Sequence, residues 1–166
     1  DRECNMEIIK QLYDINRLFE NVDDFGPAYE SFLKVSNVEL GYRGLEGRLS
    51  EFFEDVRQTA ICIATRGQAG NGDIQFFMSG IKRVKSFMYQ EKYQIEEAIT
   101  DASRAAYLAT CFEKGILEIE KYPKENPKVV LDMSISEILP TKLRKLRNVI
   151  PEAYYYWAKV DELLKS

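Results

Sequence analysis

Apolar side chains recur every three or four residues along most of this chain, which is the periodicity of an amphipathic helix. The first stripe predicts a helix from about residue 3 to residue 22, and Pro27 suits the first position of a short second helix that ends near Val35. A third helix follows a glycine-rich segment at 41–47 and stops near Arg66. The first and third stripes consist of Ile8, Leu12, Ile15 and Leu18 or Phe19, and of Leu45, Leu49, Phe52, Val56, Ala60 and Ile63.

Strong helix breakers divide the same pattern in the second half of the chain. Residues 67–72 form the strongest breaker, and Asp73 is a good N-cap for the helix that follows. An alanine-rich, centrally placed helix is predicted from about residue 95 to residue 122, where Pro123 ends it. A short basic helix is predicted over 142–149, and Pro151 opens the last helix. The fourth stripe consists of Ile74, Phe77, Ile81, Val84 and Met88.

These segments predict an all-α protein, with residues 1–166 forming one domain. The expected architecture is a single compact bundle of six or seven helices with irregular connections. A chain of 166 residues is long enough to bury a core of its own. No apolar run approaches the roughly 18 residues that a membrane span needs, so we predict no membrane span.

Composition excludes several classes of function. The chain contains no histidine, the side chain that titrates nearest to neutral pH and is the commonest metal ligand. The lack of histidine therefore excludes Ser-His-Asp and Cys-His catalytic systems and the usual zinc sites. The net charge is −4, which argues against a nucleic-acid partner. We predict that the protein is not an enzyme and that it uses no cofactor and no metal.

Three carboxylates lie on one face of the third predicted helix, at Glu51, Glu54 and Asp55. Such a group can hold a divalent ion or carry out acid–base chemistry. Arg48 and Arg57 stand at helical spacing from these acids, which is typical of a solvated face with local ion pairs. We favour the solvated face.

The chain has three cysteines, Cys4, Cys62 and Cys111, so they cannot all pair within one molecule. Cys62 and Cys111 are the candidates for one disulfide between neighbouring helices. Two alternatives stay open: three buried free thiols, or a bridge from Cys4 to one of the others. A reactive Cys62 beside Arg66 is a weaker alternative, because the apolar neighbours of Cys62 predict burial.

Two neighbouring features near the end of the chain suggest a binding surface. The densest basic cluster consists of Lys142, Arg144, Lys145 and Arg147, with leucines on the opposite face of the predicted helix. Basic amphipathic helices bind anionic surfaces or acidic protein patches. Four consecutive aromatic residues follow, and consecutive rings point around most of a helical turn. We expect at least one of them to face solvent, a groove or a partner. These rings are Tyr154, Tyr155, Tyr156 and Trp157.

The leading hypothesis is a non-enzymatic secreted binding protein that docks a protein or other extracellular partner with its last two helices. The chain begins at Asp1 rather than at Met, which fits a mature secreted protein or a cut fragment, and we favour the first. In general character it is similar to small secreted, host-modulating helical effectors such as those of arthropod saliva, a likeness of composition that assigns no residue. The alternatives are a carrier of a small apolar ligand in an interhelical cavity and an intracellular, cytoplasmic helical adaptor.

Overall fold

Seven α-helices and two 3-10 turns carry the fold in a computed structural model, which describes residues 4–42, 44, 48–86 and 92–166. No strand occurs in these ranges, and the predicted all-α bundle is confirmed. The helices are α1 Cys4–Asn21, α2 Gly26–Tyr42, α3 Leu49–Ala64, α4 Ile74–Lys85, α5 Ile95–Glu113, α6 Leu146–Val149 and α7 Pro151–Lys165; the 3-10 turns are Pro127–Leu131 and Thr141–Lys145. The predicted stripe residues Leu45 and Met88 lie outside the described residues.

Helix α5 is the centre of the bundle, as its alanines predict. It packs against α1, α3 and α7. Ala98, Ala102 and Ala106 are buried, and side chains this small let neighbouring helices approach closely. Helix α1 also packs on α4, where a Cβ atom at Gly80 would lie 2.5 Å from the backbone oxygen of Asn5. Glycine is therefore required at this crossing.

The buried face of α1 is rotated from the predicted one. Ile15 and Leu18 are exposed, whereas Asn5 and Asn16 are buried. Each of these asparagines accepts a hydrogen bond from an arginine on another helix: Arg83 donates to Asn5, and Arg104 donates to Asn16. A buried polar side chain with such a partner is tolerated, but apolar periodicity gives no sign of it.

Two helix ends differ from the prediction. Helix α2 continues to Tyr42 rather than ending near Val35. Helix α5 ends at Glu113, well before Pro123, because Gly115 takes a left-handed conformation with φ of 68°. The amide of Ile116 donates to the carbonyl of Cys111 at 2.8 Å, which closes the helix in the manner of a glycine C-cap. The chain then runs without helix over residues 116–126 and covers α7.

The predicted break between α3 and α4 is confirmed. Residues 65–73 form turns and bends, and Gly70 lies so close to α3 that a Cβ there would be 2.4 Å from the carbonyl oxygen of Gln58. The side chain of Asp73 accepts a hydrogen bond from the amide of Gln75 at 2.9 Å, which is the predicted N-cap. Within the described residues, no helix combines the length and the apolar character needed to cross a bilayer.

Candidate functional site

The predicted disulfide between Cys62 and Cys111 is wrong, because all three cysteines are free. Cys62 and Cys111 are buried against different neighbours: Cys62 faces the loop before α4, where its sulfur lies close to Gly72, and Cys111 lies beside Tyr107. Burial raises the pKa of both thiols, that of Cys111 to about 11. A raised pKa keeps a thiol protonated and poorly nucleophilic at neutral pH, which argues against the reactive Cys62.

The four consecutive aromatic residues pack in the core, so none of their rings faces open solvent, although Tyr155 and Tyr156 each line a groove. Tyr154, Tyr155, Tyr156 and Trp157 are each at most 4% exposed. Helix α5 covers one side of α7, and the non-helical segment after α5 covers another. The Tyr156 ring lies edge-on to Phe19 at 5.4 Å between centroids, and the amide of Tyr122 donates to the Tyr156 hydroxyl at 2.9 Å. In this conformation the four side chains offer little surface to a partner.

The two arginines of the predicted basic cluster make contacts within the protein, and Lys142, Arg144 and Lys145 are exposed. Arg147 lies over the Tyr154 ring at 4.9 Å and donates to its hydroxyl at 2.6 Å. Arg144 donates from Nε to the carbonyl oxygen of Ile135 at 3.0 Å. Both arginines therefore hold neighbouring segments in place. Lys142 and Lys145 are exposed and stay available for a partner.

The three predicted carboxylates lie on a face with local ion pairs. Glu51 pairs with Arg48 at 3.2 Å, and Glu54 pairs with Arg57 at 2.9 Å. Arg57 is buried and also donates to Glu113 at the end of α5, so it links α3 to α5. In the part of the chain that the structure describes, no group of three or more acidic or cysteine side chains could hold a metal ion.

Helix α2 presents an apolar surface to solvent, and none of its residues is fully buried. Val35 is 63% exposed, Val38 55% and Tyr42 85%, and their spacing of three and four places them on one stripe. Val35 lines a groove of about 470 Å³ between α2 and α3, and Val38 and Tyr42 lie outside its lining. We call the stripe and the groove together the α2–α3 surface; its apolar members are Phe32, Val35, Val38, Leu40, Tyr42, Leu49 and Phe52.

The first half of α2 is anchored to the bundle by aromatic contacts. Tyr29 lies edge-on to Phe112 at 5.1 Å between centroids, and Phe32 lies 5.5 Å from Phe53 and 5.9 Å from Phe112. Beyond Phe32 the helix continues to Tyr42 with its residues exposed or half-buried. The aromatic anchors therefore hold the exposed stripe in a fixed position beside α3.

A second concave region, the polar cleft, lies between α1, the first half of α5 and the start of α7, with a volume of about 750 Å³. Arg104 of α5 forms one wall and joins the three elements. It donates to Asn16 and Glu20 on α1 and to Glu152 on α7. Burial alone would lower the pKa of Arg104, but Glu152 and Glu20 outweigh it and raise that pKa.

Asp101 lies at the bottom of the polar cleft and is 4% exposed. Its Oδ2 accepts a hydrogen bond from the hydroxyl of Tyr93 at 2.8 Å, and the Tyr93 ring lies edge-on to Tyr13 at 5.8 Å between centroids. Burial raises the pKa of the Asp101 carboxyl to about 7, against the opposing effects of the Tyr93 hydrogen bond and the charge of Arg104. The cleft thus contains a carboxyl group whose pKa is close to neutral pH, beside the rings of Tyr13 and Tyr93.

No protein-family model, curated protein or solved structure matches the chain. The interpretation of both surfaces therefore rests on their own geometry.

The buried Asp101 makes folding stability depend on pH. The pKa of a free aspartate is 3.8, whereas that of native Asp101 is about 7. Between these values the native protein keeps a proton that the unfolded chain has lost, so stability falls as pH rises through this window, by at most about 1.4 kcal/mol per pH unit. We expect the unfolding free energy of the wild type, minus that of Asp101→Asn, to decrease from about pH 4 to about pH 7 and then to level off. Urea unfolding at several pH values measures this difference, and a constant value would contradict the raised pKa.

The sequence did not predict either surface, although it contains a partial signal for the polar cleft. Asp101 and Arg104 are charged residues inside an alanine-rich helix, which is a sign of buried polar partners. Helix α2 carries apolar residues on several faces, so its sequence does not indicate which face is buried.

Proposed function

We propose that this protein is a non-enzymatic binding protein that docks a partner protein through the α2–α3 surface. The observation that carries the proposal is the exposure of Val35, Val38 and Tyr42 on a helix whose first half packs against the bundle. Contiguous exposed apolar patches on soluble proteins mark interaction sites. The proposal keeps the binding function predicted from the sequence and moves its surface from the last two helices to α2 and α3.

The charges around the groove define the chemistry of the partner. Among its described lining residues, Glu51 and Asp55 stand against one cation, Arg48, which pairs with Glu51. An apolar helix flanked by lysine or arginine fits such a groove, with its apolar face between α2 and α3 and its cations near the acids. A second copy of this chain fits poorly, because a symmetric contact would place the same acids opposite each other.

The test is to titrate the protein with an amphipathic helical peptide of leucine and lysine and to measure binding by calorimetry. We expect it to bind, and a peptide with glutamate in place of lysine to bind at least about tenfold more weakly. The double variant Val35→Asn and Val38→Asn is expected to lose about tenfold or more in affinity, because both side chains are exposed and contribute apolar contact rather than charge. Their exposure also means that thermal stability should hardly change.

The matched control is the double variant Lys142→Ser and Lys145→Ser, which changes the exposed part of the basic cluster and is expected to leave the affinity unchanged. Equal affinity of the valine variant and the wild type would overturn the proposal. An absence of binding would also overturn it, as would a dimer in sedimentation that dissociates in the valine variant.

The secreted location and the alternative of an intracellular adaptor both stay predictions, since this surface could bind a partner in either location.

A further inference from the structure

We propose that the polar cleft is a binding site for a small organic ammonium ion that carries an aromatic or alkyl body. The site is separate from the α2–α3 surface and uses none of its residues. Its volume of about 750 Å³ lies within the range of small-molecule pockets.

Asp101 is the group that receives the cation. Its side chain is buried, it lines the cleft, and Tyr93 occupies only one of its two carboxyl oxygens. No described residue donates to Oδ1, which leaves this oxygen for a ligand. An ammonium group placed there would form a charge-assisted hydrogen bond in a largely desolvated position, where such bonds are strong.

The charges in the cleft select a cation over an anion. Arg104, the buried cation of the cleft, is already engaged by Asn16, Glu20 and Glu152 and is not free to hold a carboxylate or phosphate. Among the described lining residues, five carboxyl groups face three cationic groups. These groups are Glu20, Glu96, Glu97, Asp101 and Glu152, and Arg17, Lys92 and Arg104.

The walls of the cleft select an organic cation over a metal ion. Tyr13, Tyr93 and Tyr122 line it, and the faces of aromatic rings attract organic cations and pack against apolar groups. Ions such as Ca²⁺ require several oxygen ligands around one point, and the described carboxylates of the cleft make no such group. The polar lining likewise disfavours a fully apolar ligand, the kind of cargo considered from the sequence.

Bound ammonium would favour the ionised form of Asp101, so the affinity is expected to increase between about pH 6 and about pH 8. The groups that act on the charge of Asp101 lie on α1, on α5 and just before α5. They are Glu20 from α1, Glu97 and Arg104 from α5, and the hydroxyl of Tyr93. Glutamate, arginine and tyrosine side chains ordinarily titrate far from neutral pH, so Asp101 is the group that gives the profile its midpoint.

The experiment is calorimetric titration of the wild-type protein with phenethylamine, compared with 2-phenylethanol and phenylacetate, which share its ring but are neutral and anionic. We expect a Kd below about 1 mM for the amine and at least about tenfold weaker binding of the other two. Asp101→Asn is expected to weaken amine binding at least about tenfold and to remove its pH dependence. The matched control Glu7→Gln changes an exposed carboxylate of α1 that pairs with Lys10 at 3.3 Å and does not line the cleft, so it should change the affinity little.

The wild-type comparison decides the proposal even if Asp101→Asn does not fold. No binding of the amine, or equal binding of the neutral alcohol, would overturn it. An affinity that does not change with pH would also overturn the role of Asp101. Phenethylamine is not a helical peptide, and the polar cleft shares no residue with the α2–α3 surface. A failure of phenethylamine to bind would therefore not bear on the α2–α3 proposal.

Discussion

Replacing Arg104 with methionine is expected to lower the free energy of unfolding by about 3–5 kcal/mol. Arg104 is buried and joins Asn16 and Glu20 on α1 to Glu152 on α7. Methionine has a similar length but no donors, so the carboxylates of Glu20 and Glu152 and the buried amide of Asn16 would lose their partner. The loss of these bonds also separates α1 from α7 at the rim of the polar cleft. Urea unfolding followed by circular dichroism measures the change.

The matched control is Arg66→Met, which removes an arginine that pairs with Glu96 at 2.7 Å. Both side chains of that pair are about half exposed, so water replaces the lost contact and the expected cost is within about 1 kcal/mol. Equal costs for the two variants would contradict the assignment of Arg104 as the connector of three elements. A cost for Arg104→Met below about 1 kcal/mol would contradict it as well.

Trp157→Ala is expected to lower the free energy of unfolding by about 3–5 kcal/mol. Trp157 is completely buried in α7, and its removal would leave a cavity between α7 and its neighbours. Trp157→Phe should cost much less, because the indole nitrogen has no hydrogen-bond partner and only packing is reduced. Thermal and urea unfolding of both variants measure these costs.

The control for the aromatic run is Tyr42→Ala, a change of a large ring that is exposed on α2. We expect its stability to stay within about 0.5 kcal/mol of the wild type. If Trp157→Ala were as harmless as Tyr42→Ala, the tryptophan ring would lie outside the core, and an aromatic docking surface on α7 would again be the better hypothesis. The two variants thus separate a core role from a surface role for the aromatic residues.

The fold could be predicted from the sequence where periodicity and breakers agree. Asp73 marks the start of α4, and Pro151 marks the start of α7, because N-caps and first-turn prolines act locally. The end of α5 differs from the prediction because Gly115, and not Pro123, stops the helix; a glycine in a left-handed conformation is a common helix stop. Local chemistry thus explains both the successes and this error.

The candidate sites could not be predicted, because they depend on contacts between distant parts of the chain. Whether Tyr154 or Tyr42 is exposed depends on which segments cover α7 and which leave α2 uncovered. The segment after α5 contacts Tyr155 and Tyr156, and no sequence pattern indicates its path. The same holds for Arg104, whose partners Glu20 and Glu152 lie more than 40 residues away along the chain.

Docking on the α2–α3 surface can be tested by nuclear magnetic resonance mapping of the leucine and lysine peptide on the isotope-labelled protein. We expect amide shift changes concentrated in residues 28–42 and 48–56, the segments that form the α2–α3 surface. Their disappearance in the double variant of Val35 and Val38 would support the assignment. Shift changes centred on residues 141–157, or no changes at all, would contradict it.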